Sequence, residues 1–174
     1  MFLFGNQEKF KMAGLVLPEL ITLEEFGGDF ESYYEAVYEI FRRDFVESKP
    51  VYRGKKLRLK AHPYIDGKEY TFYHFTHDGY IETKRVPNLR RMERIGFPRP
   101  IIDNSTHTQL IVWRKKVKSK RRILILHVEE KYLVVLEERK DYILPWTAYY
   151  IEYENKIRRL IREYETYIKT ETAP

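Results

Sequence analysis

The stretch that most restricts the fold is residues 109–145, "QLIVWRKKVKSKRRILILHVEEKYLVVLEERKDYILP". Three segments rich in Val, Ile and Leu, "QLIVWRKK", "RRILILHVEE" and "KYLVVLEE", follow one another with Lys118–Ser119–Lys120 as the first turn and almost nothing before the third. A fourth, "YILP", comes after Arg139–Lys140–Asp141. Parallel neighbours need a dozen or more residues to cross back, so connections this short predict an antiparallel meander.

Helices flank it. In "GGDFESYYEAVYEIFRRDFVES" the apolar residues Phe30, Tyr33, Tyr34, Val37, Phe41 and Phe45 recur at helical spacing. Asp29 is placed as an N-cap, which predicts a helix over 30–46. At the other end, Ile157, Leu160, Ile161, Tyr164 and Ile168 make one apolar face of an amphipathic helix for the sheet. Between these, "KKLRLKAHPYIDGKEYTFYHFT" predicts two strands turning at Asp66–Gly67, with His74 late in the second. Asn88 predicts the cap of a short helical turn ended by Gly96 and Pro98. The expectation is an α+β fold: an antiparallel β-sheet of about four to six strands, an N-terminal helix and a C-terminal amphipathic helix packed on it. One domain over 29–170 follows an N-terminal extension, 1–28.

The chain has no cysteine among its 174 residues, which excludes disulfide scaffolds and thiol catalysis. No apolar run reaches the length of a membrane span, and the N-terminus lacks the basic start of a signal peptide, so no membrane role and a cytoplasmic location are expected. Tyr, Ile, Lys, Glu and Arg enrichment without Cys is also how thermophile proteins read. The net charge of +6 is unevenly spread. Residues 1–50 carry a net −5, leaving a body of +11 that calls for an anionic partner, nucleic acid being the commonest.

Two basic clusters stand out. "KRVPNLRRMERIGFPR" holds Arg90, Arg91, Arg94 and Arg99 among turn residues and apolar anchors. "RKKVKSKRR", with Arg114, Lys116, Lys118, Lys120 and Arg121, carries seven basic residues at a hairpin tip. Each reads either as a solvated face or as a phosphate-gripping surface, since guanidinium forks match phosphate oxygens. Trp113 and exposed tyrosines are candidates for stacking unpaired bases. Of five histidines, His74 is the best proton-transfer candidate, flanked by aromatics before a loop. "HFTHD" lacks a third and fourth ligand at a recognised spacing, so neither metal nor cofactor is expected. "EEK" at Glu129–Lys131, with Asp103, is the only pattern suggestive of a metal-dependent nuclease. Thr147, after Pro145 and Trp146, reads as a helix N-cap with an incomplete capping box, or as part of a phosphate seat with Tyr149 and upstream Arg139.

At these residues the chain resembles phage-associated nuclease domains of the barnase–EndoU–colicin–RelE-like ribonuclease superfamily. The resemblance rests on "TFYHFT", "RRMERIGFPRPIIDN", the strand run into "PWTAYYIEYENKIRRLIREYE", and the helix-first order, over about residues 30–168. One departure is "GFPRP", where Phe97 stands in place of an expected tryptophan. The resemblance implies metal-independent RNA cleavage through 2′-hydroxyl attack, giving a 2′,3′-cyclic phosphate, in a phage-encoded or toxin-like setting where an antitoxin or immunity protein would be a partner. His74 would transfer the proton, Arg91, Arg94 and Arg139 would stabilise the phosphorane, and Thr147 and Tyr149 would hydrogen-bond the phosphate. The alternatives are a non-catalytic nucleic-acid-binding module and a metal-dependent nuclease.

Overall fold

The structure, a computed structural model, describes residues 14–172. Helix α1 (Phe30–Phe41) starts where the Asp29 carboxylate accepts from the N–H groups of Glu31 and Ser32, and continues as a π-helical stretch, Arg42–Glu47. A short hairpin, β1 (Val51–Tyr52) and β2 (Lys55–Lys56), leads to helix α2 (Tyr70–Thr76). Strand β3 (His77–Asp78) pairs with β4 (Val86–Pro87) around an exposed loop, and helices α3 (Leu89–Glu93) and α4 (Pro98–Asp103) follow. The main sheet is β5 (Leu110–Val117), β6 (Lys120–His127), β7 (Tyr132–Glu138) and β8 (Ile143–Tyr150), antiparallel in sequence order. Helix α5 (Glu154–Glu171) closes the fold. This is the expected α+β architecture, with the expected meander and flanking helices.

Both sheet faces are covered, each by a separate apolar cluster. Ile123, Ile125, Val134, Leu136 and Ala148 pack against Tyr33, Val37, Phe41, Phe72 and Phe75 of the N-terminal helices. Leu124, Leu126 and Leu133, on the alternate positions, pack with Trp113 against Ile157 and Leu160 of α5. Residues before α1 join the first cluster through Leu15, Leu17, Ile21, Leu23 and Phe26. That segment is tied down by Leu15 N–H to Gln109 Oε1 (2.6 Å) and Ile21 N–H to the Glu93 carbonyl (3.1 Å). It crosses Gly96 so closely that a Cβ there would lie 2.7 Å from Pro18 Cγ.

Three sequence expectations are corrected. Of the two strands expected before residue 76, the first is reduced to Lys55–Lys56 and the second is instead α2, so His74 is helical. All seven residues of α2 are buried, and a segment buried on every side carries no periodicity to separate strand from helix. Pro98 ends the α3 turn only to open α4 from its first position, where a missing N–H costs nothing. Thr147 is no helix cap: it lies inside β8, and α5 begins only at Glu154 after Tyr153. The proline that looked like a strand end is tolerated because β8 is an edge strand with a bulge. Val135 pairs with Thr147 and Leu136 with Pro145, leaving Trp146 as the extra residue.

Candidate functional site

The bulge turns Trp146 toward α2, which lies along the open edge of β8. The two elements are joined by one guanidinium. Arg91, from α3, donates through Nη1 to the His74 carbonyl (3.1 Å) and to Thr147 Oγ1 (3.1 Å), and Thr147 Oγ1 donates to the same carbonyl (3.3 Å). Arg91 Nη2 also bonds Asp78 (3.2 Å), and its plane lies 5.0 Å from the Tyr149 ring. Asn88 fixes α3 by accepting from Arg91 N–H, which aims this side chain inward. Burial pulls the Arg91 guanidinium below its ordinary pKa, against the nearby Asp78. Thus His74, Arg91, Thr147 and Tyr149 come together in the fold. Within that group Arg91 and Thr147 clip the His74 backbone in place.

The His74 ring is 4% exposed. Its Nε2 meets Glu82 Oε1 at 2.7 Å, and the same carboxylate takes the Tyr70 hydroxyl and Arg85 Nε (3.3 Å). Nδ1 of His74 makes no hydrogen bond among the described residues. Burial pushes the His74 pKa below its ordinary value, with Glu82 pulling the other way. Burial raises the Glu82 carboxyl, yet the Tyr70 hydrogen bond and the charges of His74 and Arg85 hold it below its ordinary value on balance. An anchored imidazole with one free nitrogen is equipped for proton transfer.

Trp146 also touches a second charged group. The His74 and Trp146 ring centroids are 5.1 Å apart, and the Arg122 guanidinium lies 4.1 Å from the same indole. Arg122 Nη2 approaches Glu137 Oε2 at 2.7 Å and Arg139 Nη2 approaches Glu137 Oε1 at 2.5 Å, with Glu137 fully buried. These contacts are charge contacts rather than aligned hydrogen bonds. Both Glu137 oxygens, and Nε of both arginines, are buried without a hydrogen-bond partner among the described residues. Buried donors left unbonded mark a place where water, an ion or a ligand belongs. Burial pulls Arg122 below its ordinary pKa, Glu137 opposing.

The other sequence candidates are dispersed. Arg94 and Arg90 lie over the Tyr150 ring, at 4.3 and 5.8 Å, away from His74. Arg99 is held by Asp103 (2.6 Å), the Asp44 carbonyl and Ser48. Trp113 is 2% exposed beneath α5 with its N–H directed to Glu163, out of reach of any base. The residues Arg114, Lys116, Lys118, Lys120 and Arg121 are exposed at the sheet end, with Arg114 paired to Glu138 (2.9 Å). Glu129 and Lys131 occupy the β6–β7 turn, whereas the Asp103 carboxylate accepts from Val51 N–H (2.9 Å) and from Arg99 Nε (2.6 Å). Among the described residues no three His, Asp or Glu side chains gather as a metal ligand set.

Sequence reading missed Glu137, Arg122, Trp146 and Glu82. The first two had a usable signal. Alternation along "YLVVLEE" puts Glu137 on the α5 side with Leu133 and Val135, an acid where apolar residues belong, and meander register puts Arg122 opposite it. Fold and site together define an α+β sheet protein with an imidazole–carboxylate pair and a two-arginine cluster on one side of a bulged edge strand. Compared with protein-family models, characterised proteins and solved structures, the chain matches none. No helix among the described residues is long and apolar enough to cross a membrane.

Proposed function

We propose that the protein is a metal-independent endoribonuclease that cleaves RNA by 2′-hydroxyl attack on the adjacent phosphorus. The observation that carries this reading is an anchored histidine and the Arg122 guanidinium against one indole, with the Nε groups of Arg122 and of Arg139, which shares Glu137 with it, buried and unbonded. With Trp146 displaced, a phosphodiester in its place would meet guanidinium donors and a proton-transfer group. The new 2′-oxygen–phosphorus bond forms as the 5′-oxygen leaves, so one group takes the 2′-hydroxyl proton and another protonates the leaving oxygen. In this reading the Glu137 carboxylate takes the 2′-hydroxyl proton once Arg139 turns away from it. His74 donates from Nδ1 once the phosphate and Glu82 favour its charged form. Arg122 and Arg139 bear the phosphorane charge, and Arg139, with its side chain 33% exposed, is the one free to turn from Glu137 to the substrate. Arg91 and Thr147 act as positioning residues for His74, and Tyr149 supports Arg91.

A second reading, a non-catalytic RNA-binding module, is favoured by the 4% exposure of His74 and the full burial of Glu137. In the catalytic reading, Trp146 or the exposed 78–86 loop moves aside as substrate enters. The test is incubation of labelled RNA with the protein in EDTA, with product ends identified. Cleavage to 2′,3′-cyclic phosphate ends, lost by on the order of 100-fold in Arg139→Ala and in His74→Ala, supports the enzyme. Retention of RNA without cleavage supports the binder. Cleavage only with magnesium, or undiminished cleavage by both variants, refutes the site.

A further inference from the structure

A groove of about 1590 Å³ runs over the end of the sheet where the β5–β6 hairpin tip and the β7–β8 turn project. Its far wall is the 49–58 segment, fixed to β8 by a Leu57–Ile143 bridge and by Arg58 N–H donating to the Ile143 carbonyl (2.9 Å). Eleven Lys or Arg residues line it against three carboxylates. Three of the cations, Arg114, Lys115 and Arg139, are ion-paired, leaving eight with no ion pair among the described residues. Such a density of unpaired like charge repels itself beyond what water and small ions screen, and an anion that follows its length relieves it.

We infer that this groove is the track for a single-stranded RNA backbone leading to the site proposed above, on which reading the inference rests. Arg139 belongs to both, lining the groove while one of its nitrogens touches Glu137. A strand lying along Lys55, Lys56 and Lys140 therefore delivers its next phosphate to the Arg122–Arg139 pair. The concave shape rules out a flat bilayer as the anion. Tyr142, which carries the Arg58 guanidinium 5.4 Å from its ring, and Tyr167 add aromatic surface for unpaired bases, as single-strand grooves do. The second wall, built by residues 49–58, lies outside both basic clusters evident in the sequence.

The test is fluorescence anisotropy with a labelled 12-nucleotide RNA made uncleavable by 2′-O-methyl groups, so that binding is read whether or not the protein cuts. If about five phosphates are contacted, the log–log slope of affinity against salt is about −3.5. The triple variant Lys55→Glu/Lys56→Glu/Lys140→Glu changes exposed side chains only and should keep its thermal midpoint. It should bind at least tenfold more weakly, with a slope shallower by about 2. Undiminished binding by this variant overturns the inference, as does a preference for duplex RNA or equal binding of polyglutamate of matched charge. Loss of binding in the variant together with a wild-type protein that never cleaves would leave the groove standing and refute the nuclease reading alone.

Discussion

Replacing Glu137 with Gln is the most informative single change, because it keeps the shape of a fully buried side chain and removes only its charge. Two guanidiniums then face a neutral amide. Breaking a buried ion pair by removing one partner costs about 3–5 kcal/mol. Here the arginine side chains are 13% and 33% exposed, so water recovers part of that and a loss of about 2 kcal/mol is expected. For a chain of this size that lowers the thermal midpoint by about 4–8 °C, read by circular dichroism at low salt. The same change should turn the cluster into an open anion seat. At phosphate tenfold above its Kd, about 1.4 kcal/mol returns to the variant, while the wild type, its arginines already neutralised, gains less. An unchanged midpoint would show that Glu137 does not balance the two arginines. A midpoint that falls but responds to phosphate no more than wild type would show that the freed guanidiniums do not form an anion site.

Two further outcomes concern stability. Burial pushes His77 down to about 4, so its contribution is complete above the ordinary histidine pKa and is lost as pH falls from about 6.5 toward 4, amounting to about 3 kcal/mol. Urea midpoints at pH 7.5 and 4.5 should therefore lie closer together in His77→Gln than in wild type, and identical acid losses in both proteins would refute that assignment. Trp113→Ala should cost about 3–5 kcal/mol in urea unfolding because it empties the cluster beneath α5. Its affinity for RNA at a temperature where it remains folded should be unchanged, and a tenfold loss there would restore Trp113 as a binding residue.

The meander was legible because short connections leave antiparallel strands one choice, and both flanking helices showed their apolar stripes. Legibility failed where burial erased the pattern. "YTFYHFT" is rich in aromatic and β-branched residues, and with all seven side chains buried nothing in it distinguished α2 from a strand. The neighbours of Thr147 mark it in the sequence while its strand does not show, since a bulge that tolerates proline leaves no local mark apart from the proline itself. His74, Arg91, Thr147 and Tyr149 were found by residue type, yet their arrangement was not. Only the fold reveals that Arg91 and Thr147 grip the His74 carbonyl while the orphaned donors belong to Arg122 and Arg139.

Strand β5 has one side paired to β6 and no strand on the other among the described residues. Its last four residues, Arg114 to Val117, are exposed and three of them are cationic. An uncovered strand edge is a template for a second copy of the chain, and charge along it is a common defence against stacking into oligomers. The cations of the groove therefore also guard that margin against edge-to-edge pairing. Neutralising them, by mutation or by a saturating polyanion, removes that guard, and self-association should be checked by light scattering before any loss of soluble activity is ascribed to the site.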